Sequence, residues 1–346
     1  MVDRRTFLKT LTAMATSAAI TAKNGKADAV ASDRWGPLLP TRRLGKTGND
    51  VTMLALGGAH VASFSQYAQQ FIETAIAGGI RFFDTAASYG NGESEKLYGR
   101  YLTPPYREDI FLLSKAHLFT KRDVQNQLDK TLLNLKTDYL DLWQMHQVMD
   151  VADADTRIEN GVLDAFLEAK ASGKVRHIGF SGHQDPAAHQ RILERTDIFE
   201  VCQMPISCAD ASYGSFIKSV LPILLQREMG VIAIKSLAAG GFFGGTTWFQ
   251  SGSRPKICPD LMTVEEAIHF SWSMPISVLV TGPNNPDMLR EKIDFAKSFT
   301  PMNVEQQEYL IDKAAHLTPR AGVEFYKSTN LPVSLPLPAV NEWKWM

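Results

Sequence analysis

Arg81-Phe-Phe-Asp-Thr-Ala-Ala-Ser-Tyr-Gly90 is the stretch whose reading decides the fold. Phe82 and Phe83 form an apolar run short enough for a buried strand. The small and turn-forming residues from Asp84 to Gly90 then read as the loop leaving its C-terminal end. A carboxylate and a phenol therefore share one strand end. Two later stretches finish the same way: Ile110-Phe-Leu-Leu-Ser-Lys115 ends on a lysine, and Tyr139-Leu-Asp-Leu-Trp-Gln-Met-His146 ends on a histidine. If these strands are parallel neighbours, Asp84, Tyr89, Lys115 and His146 converge on one face.

The surrounding chain repeats one unit. Residues 51–56 read as a strand closing on Gly57-Gly58, and residues 69–77 read as a helix, with Phe71, Ile72, Ala75 and Ile76 at helical spacing. The stretch quoted above is the second strand, with residues 94–102 as its helix. The third ends at Lys115 and is followed by a helix over 122–135, with Val124, Leu128, Leu132 and Leu135 along one side. The fourth ends at His146 and leads to a helix over 160–171. Strands over 175–180, 200–205, 231–235 and 276–280 follow, with helices over 186–193, 216–227, 264–272 and 286–296. Eight consecutive strand-plus-helix units predict a (β/α)8 TIM barrel, an α/β fold in one domain spanning 41–300. In such a barrel the working face is the set of C-terminal strand ends. Residues 301–346 then form a further helix, over 304–317, and a proline-rich tail.

Composition narrows the partners. The 346-residue chain has a formal net charge of −1 and is 45% hydrophobic, which suggests neither a nucleic-acid footprint nor a disordered chain. Cys202, Cys208 and Cys258 are too few and wrongly spaced for a four-thiolate metal cluster. Buried thiols are the simplest reading, and a Cys202–Cys208 pair stays open. Asp3-Arg-Arg-Thr-Phe-Leu-Lys9 precedes a mildly apolar run to Ala22 that is too short and too rich in Thr and Ala to serve as a membrane anchor. The arginine pair resembles a twin-arginine export signal, with Asp3 where a serine or threonine is usual. That resemblance implies residues 1–29 as signal peptide, 30–40 as linker, the export machinery as a partner and the periplasm as destination.

The strand-end set suits carbonyl reduction. Hydride addition builds an alkoxide that needs a proton, and a phenol of ordinary pKa about 10 is a poor donor at neutral pH. The Lys115 ammonium would favour the phenolate and make Tyr89 a stronger acid, Asp84 would hold the lysine charged, and His146 would orient the carbonyl. Asp84, Tyr89, Lys115 and His146 match in order the Asp-Tyr-Lys-His tetrad of the aldo-keto reductase family, which the chain resembles from about Thr41 to about Phe299. The resemblance implies NADP(H) or NAD(H) as cofactor, no metal, and a small carbonyl substrate. It places Ser181 and Gln203 at the nicotinamide carboxamide, with Gly182 where the family has an asparagine. Gly57 and Gly58 would let backbone approach the ring or ribose. Ile234 would pack on the ring face, and the segment holding Lys235, Ser236, Leu237 and Gly240 would lie along the pyrophosphate. Glu291 and Lys292 would sit at the adenine, and Asn284 and Asn285 near the ribose phosphate. Gly282 and Met288 replace the cations other members use for the 2′-phosphate, which weakens the preference for NADP, with Arg290 as a substitute.

Two other readings belong to different classes. His60, His117, His146 and His183 fall at or just after strand ends, as in a zinc-dependent barrel hydrolase, but no His-x-His follows the first strand. Gly182 and Ile234 leave room for a nicotinamide-binding redox sensor with little turnover. In either reductase or sensor, His60, Phe64, Gln147, Trp248 and Phe249 are candidate walls for the substrate.

Overall fold

A computed structural model describes residues 31–315, 317 and 322–327. The export-type segment 1–29 and the proline-rich tail of 331–346 lie outside the described residues. Eight parallel strands close into a barrel: β1 (Leu54–Gly57), β2 (Phe82–Asp84), β3 (Phe111–Ala116), β4 (Leu140–Met145), β5 (Val175–Ser181), β6 (Val201–Pro205), β7 (Gly230–Ile234) and β8 (Val278–Thr281). Each pairs with the next, and β8 pairs with β1. The helices behind them are α1 (Ala68–Ala77), α2 (Glu93–Tyr101), α3 (Lys121–Leu135), α4 (Val162–Ala171), α5 (Pro186–Arg195), α6 (Leu221–Gln226), α7 (Val264–Ser273) and α8 (Pro286–Lys297), with α9 (Val304–Ala315) after them. This is the (β/α)8 TIM barrel that the strand-helix rhythm predicts.

Strand alternation sorts the side chains. Ala55, Phe82, Leu113, Leu142, Val201, Ile232 and Val278 fill one layer inside the barrel. Their neighbours Leu54, Leu56, Phe83, Leu112, Trp143 and Met145 point outward into the larger core shared with the helices. Two residues beyond the inner layer, the same parity brings Asp84, Lys115, Gln144, Gln203 and Ile234 inward, and His146 lies four beyond Leu142. The polar set is thus a layer stacked on an apolar plug.

Two regions are built differently from those predicted. The apolar stretch beginning at Val51 does not start β1. Asp50–Thr52 instead pairs antiparallel with Thr41–Arg43, and this hairpin brings Leu44 and Val51 into the interior layer. The Thr52 hydroxyl donates to the Leu54 carbonyl at the corner. Residues 216–227 split into Phe216–Ser219 and α6, because Pro222 lacks an N–H for a continuous helix and takes the first turn of a new one. Arg81 is structural, bonding Asp33 through Nε at 2.6 Å and Nη2 at 2.8 Å. All three cysteines are free and buried.

Candidate active site

Register builds the site as a staircase. Asp84 pairs with Leu113, so Lys115 lies two residues further up its strand; Lys115 pairs with Gln144, so His146 stands two further again. Each step is a rise of about 6.6 Å along the strand. Asp84 is therefore deepest, Lys115 intermediate and His146 at the rim. Tyr89 returns over them from the loop after β2.

Lys115 Nζ sits at the centre. It donates to Asp84 Oδ1 at 2.8 Å, to the Thr85 carbonyl at 2.8 Å and to Tyr89 Oη at 3.2 Å. Asp84 Oδ2 accepts from Gln203 Nε2 at 2.8 Å. Three donors on an ammonium are thus all used, and one points at the phenol. The Tyr89 and His146 rings meet edge-on with centroids 5.5 Å apart, and His146 Nδ1 lies 3.2 Å from Ser88 Oγ. Arg157, ion-paired with Asp153, donates to the His146 carbonyl at 3.0 Å and fixes the end of β4.

Burial sets the protonation states. It pushes His146 well below its ordinary value, helped by Lys115, so the imidazole is neutral. It also lowers Lys115, against the opposing pull of Asp84. Tyr89 is raised well above 10, first by burial and then by the Asp84 charge. The Lys115 ammonium, 3.2 Å from the phenol oxygen, acts in the opposite direction, as expected of a cation beside a phenol. The Lys115 hydrogen bond gains most of its strength only when negative charge appears on the phenol oxygen.

The tetrad opens into a cavity of about 290 Å³ at the C-terminal strand ends. Of the residues the resemblance assigned to a cofactor, Gly57, Ser181, Gln203, Ile234, Lys235, Ser236, Leu237, Gly240, Gly282, Asn284, Met288 and Lys292 line it. Gly58, Asn285 and Glu291 do not. Asn285 caps α8 instead, its side chain accepting from the Met288 N–H. Glu291 reaches the cavity only through its ion pair with Lys292. Arg290 pairs with Asp287 on the exposed face.

The glycines also differ from expectation. A Cβ on Gly58 would lie 2.4 Å from Ser94 Oγ and 2.7 Å from the Asp84 carbonyl, and one on Gly57 would lie 3.0 Å from the Thr281 carbonyl. Gly58 thus makes room for neighbouring protein, whereas Gly57 is tight against β8 and also lines the cavity. Gly240, at φ +103, admits the Gln250 backbone, and Gly282 faces the His60 ring. Among the cavity's buried polar atoms without a partner is Gln203 Oε1, available to an amide donor such as a carboxamide. That acceptor, beside the apolar Ile234, fits a nicotinamide.

The expected walls are joined by residues of the C-terminal segment that the sequence did not single out. Val323–Lys327 docks here, with Tyr326 and Phe325 against Trp248 at centroid distances of 6.2 and 5.3 Å. Lys327 Nζ anchors the segment, bonding Asp210 at 2.6 Å and Glu324 at 2.8 Å. No periodicity marks so short a segment. His183 joins this wall, 5.5 Å from Trp248, with Nε2 unpartnered. Among the described residues, no group of three or more His, Cys, Asp or Glu converges as metal ligands.

A barrel with these four groups at its strand ends is an oxidoreductase scaffold, and comparison makes the class definite. Residues 53–258 match the model of the Aldo/keto reductase family, and the chain belongs to that family. It is 25% identical over 290 residues to "Uncharacterized oxidoreductase YqkF" of Bacillus subtilis, covering 74% of this chain and 91% of the relative. It is 31% identical over 173 residues to "Methylglyoxal reductase YeaE" of Escherichia coli, covering 47% and 55%. Among solved structures, an aldo-keto reductase AKR11C1 from Bacillus halodurans in its holo form superposes with TM-score 0.67 at 21% identity, over 80% of this chain and 96% of that one.

Proposed function

We propose that this protein reduces a small aldehyde or ketone with NADPH or NADH, Tyr89 supplying the proton. The nicotinamide, when bound, supplies the hydride. The observation that carries the reading is the Lys115 ammonium, held between Asp84 and the Tyr89 phenol at 2.8 and 3.2 Å. A neutral His146 at the rim offers a hydrogen bond to the carbonyl oxygen without competing for the proton. Tyr89 gives up its proton as the alkoxide forms, and Lys115 stabilises the phenolate left behind. Gln203 holds Asp84 from the far side and leaves Oε1 for the cofactor amide. The methylglyoxal reductase among the relatives supports the carbonyl-reducing direction.

Tyr89→Phe tests this. Turnover with aldehydes should fall at least about a hundredfold while cofactor binding persists. Near-normal turnover would end the assignment. An intact cofactor site with no turnover of any carbonyl in the wild type would favour the redox-sensing alternative.

We also propose export by the twin-arginine route, resting on Arg4-Arg5 and the apolar run behind them. Nicotinamide cofactor belongs to the cytoplasm, so a protein exported folded would carry its cofactor with it.

A further inference from the structure

Lys235 is the cavity's uncommitted cation. It follows β7, lines the cavity, and places Nζ 4.0 Å from the centroid of the Trp248 ring. Among the described residues no carboxylate pairs with it, whereas the two other lysines of the cavity are taken: Lys115 by Asp84 and Lys292 by Glu291. Its backbone is also unusual. Lys235 has φ +60, a left-handed conformation that a residue with a side chain rarely adopts and that recurs at functional sites. Gln147 at φ 56 and Phe249 at φ 65, both among the expected substrate walls, share it.

Placement favours the substrate end over the adenosine end. The charge of Lys235 is felt by His60, after β1, and by His183, after β5. Lys235 itself feels Lys115 and Asp84, so it stands within electrostatic reach of the reacting centre. The resemblance sets the adenosine end at α8, where Met288 and Lys292 line the cavity. Trp248, which Lys235 stacks on, belongs to the wall sealed by Tyr326. Both histidines are pushed down, so among the described residues Lys235 is the one cation of the cavity without a carboxylate partner.

We propose that the carbonyl substrate carries a carboxylate, and that Lys235 binds it while Tyr89 and His146 receive the carbonyl oxygen. The inference rests on the reductase reading and deepens it. One ammonium without a second free cation matches a monoanion better than a phosphate dianion. The apolar face of Trp248 would cover the body of the substrate between carboxylate and carbonyl.

The test is a ratio. kcat/KM is measured for 4-carboxybenzaldehyde and for uncharged 4-methylbenzaldehyde, in wild type and in Lys235→Met. The wild type should prefer the acid, and the substitution should lower the acid-to-neutral ratio at least tenfold, the scale of one charge-assisted hydrogen bond. An unchanged ratio overturns the inference. So does an unchanged ratio with weakened NADPH binding, which would give Lys235 to the cofactor pyrophosphate. A tenfold preference for 4-formylphenyl phosphate over the carboxylate would overturn the monoanion assignment.

A second measurement covers a variant that fails to fold and a reductase reading that fails. Benzoate binding to wild-type protein, followed by tryptophan fluorescence, should exceed toluene-4-carboxamide binding at least tenfold. Lys235→Arg should retain that preference. If no aldehyde is turned over yet benzoate still binds in this way, the reductase reading falls and the anion site stands. If aldehydes turn over but benzoate has no advantage, the reverse holds.

Discussion

Asp84 carries two separable loads, and two substitutions pull them apart. Its oxygens face Lys115 Nζ at 2.8 Å and Gln203 Nε2 at 2.8 Å, and its residue exposure is 2%. In Asp84→Ala, Lys115 keeps only the Thr85 carbonyl and the Tyr89 oxygen, and a buried ammonium loses its counter-ion. Removing one partner of such a pair costs roughly 3 to 5 kcal/mol, a fall in Tm of roughly 5 to 15 °C. Asp84→Asn preserves the shape. Its new amide would meet the Gln203 Nε2 donor head-on, but Gln203 can turn its amide to present Oε1, which has no partner in the native structure. Most of the stability should then return while the negative charge does not. Lys115, already lowered by burial, would then lose its charge and its ability to hold a phenolate. Aldehyde turnover should fall at least about a hundredfold in both variants. Calorimetry and cofactor-oxidation rates, measured on the same preparations, check it. An Asp84→Ala protein melting within about 1 °C of wild type would refute the buried-pair argument; an active Asp84→Asn protein would refute the role of the charge.

The remaining predictions concern the cofactor, pH and location. Fluorescence titration should show NADPH favoured over NADH by less than about a thousandfold, because Gly282 and Met288 supply no cation and Lys292 is shared with Glu291; one charge-assisted bond is worth roughly 1.5 to 3 kcal/mol. Burial and Lys115 hold Lys235 down to about 7, against the pull of Asp84. Benzoate binding to the cofactor-free protein should thus be constant well below pH 7 and weaken as pH rises through it. His60, held to about 3, and His183, also pushed down, stay neutral across that window. An affinity flat from pH 6 to pH 9 would contradict this. Replacing Arg4 and Arg5 with lysines should leave uncleaved precursor in the cytoplasm, while wild type appears in the periplasm starting near Val30; fractionation with N-terminal sequencing distinguishes the outcomes.

The barrel and its tetrad were legible because both follow from parity and order. Once Phe82 is inside, Asp84 must be inside two residues later, and Leu113 brings Lys115 with it. Other features carry no such signal. Gly58 read as room for a ligand, yet a glycine does not state what fills the space of its missing side chain, and here it is Ser94 and the Asp84 carbonyl. Val51 has the apolarity of a barrel strand but belongs to a hairpin, since hydrophobic pattern reports burial and not chain direction. The resting state of Tyr89 depends on how completely the site excludes water, which residue type alone does not reveal. Val323–Lys327 is held by a lysine between two carboxylates over a hundred residues apart, Asp210 and Glu324.

That last clamp imposes an order on the protein's birth. β1 finds its second neighbour only when β8, ending at Thr281, has been made. Trp248 gains its backing only when Phe325 and Tyr326 arrive still later. A nascent chain therefore has Asp84, Tyr89, Lys115 and His146 made before the wall around Trp248 is backed.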